Sequence, residues 1–376
     1  MSVGGGVLFD QPELLLIIGE ALNESPSDLS LKLVLSEEAR VWSVTVNRGH
    51  LATVPMAWFK QHKSSGKADQ EQRALSSWGL SLNGPRLISR VDRCSVLLSH
   101  CPGIVVKSFS VDQAHIVGEI LATLHSKRVI DEDRLSITEA LSERRRSTLQ
   151  GLSVLYKQIM AEDSDLSIAL ERAVELLQTS LHEEPIESSQ LDRNGEVGVQ
   201  RELSEERRVA CHRDVRREHL LFAPSMDNKQ SVDQEQMYLI DWGQSRLDHW
   251  SSDWVKLYLE EDSTYIFQEM WARYWVTREL LSSDRKNASH LSSTCLTLGM
   301  REQQARQKQT RQKQTRDLKI LQQQTALHVI NTLRWAHRRL SVSHKPHSTS
   351  PTMEDLAIWQ RGIRELSLLN KRLSKE

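Results

Sequence analysis

The sequence is 376 residues long, enough to bury a substantial core without disulfide or metal staples. Its 49 basic and 50 acidic residues nearly cancel, leaving a formal charge of −1, so bulk electrostatics point to neither a nucleic-acid nor an anionic-membrane partner. Cys94, Cys101, Cys211 and Cys295 are scattered without a C-x-x-C pair, which argues against a disulfide framework and a structural zinc site and fits a reducing, cytoplasmic setting.

The amino-terminal stretch lacks the basic region of a signal peptide. The apolar run 14–18 stops at Gly19 and Glu20, far short of the ~20 residues needed to span a bilayer, so the sequence predicts a soluble protein. Residues 31–35, 41–46 and 54–60 alternate or cluster β-forming residues between turn signals and read as strands. After the polar turn at Ser64, the spacing of Glu71, Leu75 and Trp78 predicts a helix. Gly84 and Pro85 end it, and 86–88 and 95–99 read as two further strands. Three strands, a helix and two strands describe a compact α+β unit.

From Val111 the apolar residues Ile116, Ile120, Leu121 and Leu124 recur at helical spacing up to His125, a residue suited to a helix C-terminus. The chain reads as helical to about 181, with Leu149, Leu152, Leu155, Ile159, Leu170, Val174 and Leu177 as core positions. Residues 182–206 are polar and predict a solvated, flexible loop. Strand-like runs at 220–222 and 237–240 follow, then mostly helix. Residues 306–310 repeat as 311–315, a basic low-complexity helix or insertion over about 301–318. The segments 326–340 and 353–373 read as amphipathic helices.

Phosphoryl transfer from a nucleotide needs a lysine on the phosphates, carboxylates for a divalent ion and a carboxylate beside the attacking hydroxyl. The chain offers such a set. Cys211-His212-Arg213-Asp214 is followed by His219 and an apolar strand, and Leu239-Ile240-Asp241-Trp242-Gly243 closes the next. These paired segments resemble the catalytic loop and metal-binding turn of the aminoglycoside phosphotransferase and choline kinase family, which shares its fold with protein kinases.

The resemblance implies a two-lobed α+β fold, with a β-rich nucleotide-binding lobe over 1–103 and a mostly helical lobe over 104–376. The second lobe would hold a catalytic loop at about 211–222 and a metal turn at about 239–243. It implies Asp214 as catalytic base, His212 as the brace of its loop, Asp241 as the magnesium ligand and Gly243 as the residue that turns the chain after it. Lys60 resembles the strand lysine on the α- and β-phosphates, and Glu71 its helical ion-pair partner. Residues 84–103 resemble the strand pair leading to an adenine site, 116–125 a family helix ending in Leu-His, and Asp253 the buried anchor of the catalytic loop. The implied cofactors are ATP or GTP with magnesium or manganese, and the implied partner is a small molecule bearing a hydroxyl group.

The chain departs from the family pattern twice. His219 stands where an asparagine would hold a second metal, and imidazole suits softer ions than magnesium. Residues 36–40, where a glycine-rich loop would cover the phosphates, contain no glycine and two carboxylates. An active kinase of small molecules and a pseudokinase-type binding module both accommodate these departures. A zinc hydrolase using His212, Asp214, His219 and Asp241 leaves Lys60 unexplained.

Overall fold

A computed structural model describes residues 11–34, 39–47, 55–127, 137–150, 152, 155, 157, 159, 164–182, 208–224, 235–287, 300–343 and 353–374. Most of the poorly glycinated stretch 36–40 and of the polar stretch 182–206 lies outside them. The chain divides into two compact units, one of residues 1–129, 209–247 and 263–285, the other of 130–208, 248–262 and 286–376.

The first unit is built on a five-stranded antiparallel sheet. β1 (Leu29–Val34), β2 (Ala39–Val46), β3 (Ala57–His62), β4 (Leu87–Arg90) and β5 (Ser95–Ser99) lie in the order β1-β2-β3-β5-β4. The strands match the sequence pattern, and a helix precedes them. α1 (Gln11–Leu22) carries the apolar run 14–18, and Leu14 and Ile18 pack with Val44, Ala57, Phe59 and Leu97 in one core. That run is short because it covers a sheet face rather than crossing a bilayer.

Side chains alternate across a strand, so β3 serves two faces. Ala57 and Phe59 enter the α1 core, while Lys60 and His62 both reach Glu71 on α2 (Ser65–Ser77). α2 ends before Trp78, which the sequence spacing had placed on the helix. After β5, Gly103 takes φ +117°, and a Cβ there would stand 2.8 Å from the Phe222 carbonyl oxygen. This close approach starts β6 (Ile104–Val105), which sets Ile104 opposite Phe222.

α3 (Val111–His125) is fixed at its start by a capping box: Gln113 N–H donates to Ser110 Oγ at 3.1 Å, and Ser110 N–H donates to Gln113 Oε1 at 3.0 Å. Its buried side runs through Ala114, Val117, Leu121 and Leu124, leaving Ile116 and Ile120 half-buried. Gly118 shifts that side, because a Cβ there would meet the Met270 carbonyl oxygen at 2.5 Å. His125 at the end of α3 is buried and bonded through Nδ1 to the Tyr274 hydroxyl at 2.8 Å, a structural placement.

β7 (Val209–Cys211), β8 (Leu220–Pro224), β9 (Glu235–Leu239) and β10 (Arg246–Asp248) follow, with β8 central in the order β6-β8-β9. β8 pairs antiparallel with β9, setting Leu220 opposite Leu239. This register places the segment before β8 beside the one that follows β9.

The second unit is helical: α4 (Ile137–Gln150), α5 (Ser164–His182), α6 (Trp254–Glu260), α8 (Met300–Ser343) and α9 (Met353–Leu373). α7 (Thr264–Asn287) lies almost wholly in the first unit. Leu152, Leu155, Ile159, Leu170 and Leu177 are buried as expected, whereas Leu149 and Val174 are half-buried. Gly362 lets α9 approach α8, since a Cβ would stand 2.7 Å from Leu333 Cδ2. The repeated residues 306–315 lie on α8. The α+β class holds: a small antiparallel sheet and a mostly helical remainder. No helix among the described residues is long and apolar enough to cross a membrane.

Candidate active site

Lys60, Glu71, His212, Asp214, His219 and Asp241 all fall in the first unit, and the structure brings them together around three charged side chains. Lys60, on β3, is buried, and Glu71 is fully buried on the inner stripe of α2 with Ala68, Ala74 and Leu75. An apolar residue is the usual occupant of such a position, and a charge persists there only when it is paired. Lys60 Nζ lies 3.1 Å from Glu71 Oε1 and 2.6 Å from Asp241 Oδ1. His62 adds a second partner, with Nε2 2.6 Å from Glu71 Oε2.

These contacts set the charge states. Burial opposes the Lys60 charge, but Glu71 and Asp241 outweigh it and raise the ammonium well above its ordinary range. Burial likewise pushes the Glu71 carboxyl up, and the Lys60 charge together with the His62 contact pulls it below its ordinary value. For Asp241 the same competition, burial against the Lys60 charge and its hydrogen bond, ends with the carboxyl at about 2. All three groups are therefore ionised at neutral pH.

The segment carrying Asp214 leaves the buried strand β7 at His212, itself fully buried. A carbonyl only accepts, so His212 Nε2 carries the proton it gives to Ile240 O at 2.9 Å. Nδ1 is then the acceptor for the Asp214 backbone N–H at 3.4 Å. The Trp242 ring stands edge-on to the imidazole at 4.9 Å, and its indole N–H donates to Leu239 O at 2.7 Å. His212 thus ties the loop carrying Asp214 to the strand end carrying Asp241, as a brace does.

Arg213, φ +66°, and Asp241, φ +64°, both adopt left-handed backbone. Aspartate tolerates that region better than most residues. The left-handed residue at the end of β9 is therefore Asp241, and Gly243 lies in the 3-10 turn Trp242–Gln244 that follows it. A Cβ on Gly243 would make ordinary contacts with His62 Cε1 at 3.4 Å and with Lys60 Nζ and Asp241 Oδ1 at 3.6 Å. α2 holds this turn, with Gln70 Nε2 donating to Ser245 O at 2.7 Å.

Asp214 accepts from Arg216 Nε at 2.9 Å, and its side chain is 14% exposed. His219 closes the short 3-10 turn Arg217–His219, with Nδ1 2.7 Å from Asp214 O and Nε2 3.6 Å from Asp241 Oδ2. One potential ligand atom from each of Asp214, His219 and Asp241 lies within 4.8 Å of the others. Two carboxylates and an imidazole are a competent donor set for a divalent cation. Asp253 is fully buried at the end of the 3-10 turn Trp250–Asp253.

The sequence reading missed His62. Its signal was available, since a residue two places beyond Lys60 on a strand shares its face. Arg216, two residues beyond Asp214, pairs with its carboxylate directly.

No protein-family model matches the chain. No curated protein matches it. Solved structures do match over nearly its whole length. Aminoglycoside 2'-phosphotransferase-IIIa in its GDP complex superposes with a TM-score of 0.57 at 11% identity, covering 96% of this chain and 99% of that one. A second phosphotransferase, solved with GDP and kanamycin, gives 0.51 at 12% identity, covering 96% and 99%. A spectinomycin phosphotransferase with ADP and spectinomycin gives 0.50 at 12% identity, covering 91% and 93%. The chain shares the protein kinase-like fold of these enzymes.

Proposed function

We propose that this protein is a phosphotransferase that moves the γ-phosphate of ATP or GTP to a hydroxyl group of a small molecule. The observation that carries the reading is the buried ion-pair chain Glu71–Lys60–Asp241, set beside Asp214 and His219 in one compact unit. A buried lysine between two carboxylates is costly to assemble, and a phosphate-binding role accounts for it. The fold is that of proteins solved with ADP, GDP, kanamycin and spectinomycin. An aminoglycoside, a sugar or an amino alcohol is the class of acceptor this reading takes.

In the proposed mechanism residues 1–103 form the nucleotide-binding part. Lys60, kept protonated by its two partners, holds the phosphates, and Glu71, locked by His62, fixes its direction. Asp241 and His219 are the residues that would hold a divalent ion, which when bound neutralises charge on the phosphates. Asp214, oriented through His212 and Arg216, takes the proton of the acceptor hydroxyl. The acceptor oxygen bonds to the γ-phosphorus as the bond to the β-bridging oxygen breaks, and the nucleoside diphosphate leaves. Catalysis comes from positioning and charge neutralisation.

A second reading, a nucleotide-binding protein without turnover, draws on one observation: Arg216 already engages the Asp214 carboxylate at 2.9 Å. Binding is common to both readings and is tested first, by thermal unfolding with ATP or GTP and each divalent metal. A metal-dependent rise in melting temperature that disappears in Asp241→Asn is expected. No rise with any nucleotide and metal would overturn both.

A further inference from the structure

We infer that the metal position of this site is built for a first-row transition-metal ion, manganese, cobalt or zinc, in preference to magnesium, with His219 Nε2 and Asp241 Oδ2 as its ligands. The inference rests on the phosphotransferase reading and specifies the cofactor of that same site.

The argument starts from a tautomer. Asp214 O is a backbone carbonyl, so its 2.7 Å contact with His219 Nδ1 places the ring proton on Nδ1. The neutral ring then carries its lone pair on Nε2, and Nε2 is the nitrogen turned to Asp241 Oδ2. Their 3.6 Å separation is too long for a hydrogen bond. It is the right span for a shared ion: donors about 2.0 to 2.2 Å from a metal at a tetrahedral angle lie about 3.3 to 3.6 Å apart. A carbonyl that fixes the far nitrogen of a ligating histidine is the usual outer partner of an imidazole–metal bond.

Asp241 divides its two oxygens in a matching way. Oδ1 takes Lys60 Nζ at 2.6 Å, and Oδ2 faces His219. Asp214, the proposed base, lies beside them, with one carboxylate oxygen within 4.8 Å of one potential ligand atom of each residue. The pair is one nitrogen and one oxygen, whereas magnesium favours oxygen donors in near-ideal octahedral geometry and gives up water reluctantly. Imidazole suits the later first-row ions, whereas an asparagine amide oxygen in the same place would suit magnesium.

The test titrates the full-length protein with manganese, cobalt, zinc and magnesium chlorides alone. Binding is read by calorimetry, by the electron paramagnetic resonance of manganese and by the visible absorption of cobalt. We expect cobalt to bind at least about tenfold more tightly than magnesium, and nitrogen hyperfine coupling on bound manganese. His219→Asn, checked for folding by circular dichroism, should lose at least about tenfold in cobalt affinity and the nitrogen coupling, and keep its magnesium affinity. The comparison among metals on the unaltered protein stands without the variant. Equal affinities for cobalt and magnesium, or bound manganese without nitrogen coupling, overturn the inference. If ATP still raises the melting temperature with magnesium, the phosphotransferase reading survives that failure; if neither metal nor nucleotide binds, both fall.

Discussion

Glu71→Gln keeps the shape of a fully buried side chain and removes only its charge. The carboxylate lies 3.1 Å from Lys60 Nζ, a gross attraction of about 5 kcal/mol at an effective dielectric constant near 20. Part of that returns, because an amide is cheaper to bury than a carboxylate, and Asp241 still faces Lys60 at 2.6 Å. The expected net loss in folding stability is about 2–3 kcal/mol, below the ~3–5 kcal/mol usual for a wholly uncompensated buried charge. Lys60→Met leaves Glu71 with His62 alone and should cost more. The double variant should cost less than the sum, by a coupling of about 1–3 kcal/mol. Urea unfolding of the four proteins, compared at equal m-values, measures this. A Glu71→Gln loss under about 0.5 kcal/mol, or strict additivity, would refute the claim that these charges hold one another in place.

Acid should act on the same residues. Glu71 and Asp241 have folded-state carboxyls below their ordinary 4.5 and 3.8, Asp241 at about 2. The stability they contribute is complete above those ordinary values and is lost as pH falls toward 2, so the urea midpoint should drop across that window, less steeply in Asp241→Asn. Gly103→Ala should destabilise by at least about 1–3 kcal/mol, because φ +117° and the Phe222 carbonyl both oppose a Cβ. Gly66→Ala, on α2 with open space around its Cα, should be neutral or stabilising by up to about 1 kcal/mol in the same unfolding assay. Burial pushes the Cys101 thiol up to about 12, so mass spectrometry after iodoacetamide at pH 8 should find it unmodified in the folded protein and modified in urea.

Much of the fold and the site was legible where local pattern and chemistry agree. α3 begins and ends where its apolar spacing and terminal histidine place it, and β8 and β9 stand where short apolar runs are bounded by polar turns. His212, Asp214, His219 and Asp241 converge because one antiparallel pairing joins the two segments that carry them. What stayed hidden depends on tertiary context. The run 14–18 has no helical signature of its own until a sheet face is there to receive it. The buried side of α3 follows Gly118 and its close approach to Met270, which no periodicity reveals. The left-handed position fell to Asp241 because aspartate also adopts that backbone, which no glycine in the sequence marks.

The central claim is phosphoryl transfer, and its most direct measurement follows the γ-phosphorus of labelled ATP and GTP in the presence of the divalent metals and a pool of aminoglycosides, sugars and amino alcohols. The account predicts label on an acceptor, or slow release to water where the acceptor is absent, with a loss of about 10²–10⁴-fold in Asp214→Asn while nucleotide binding is retained. Nucleotide that binds in a metal-dependent manner and is never cleaved, or cleavage that Asp214→Asn leaves untouched, would contradict it.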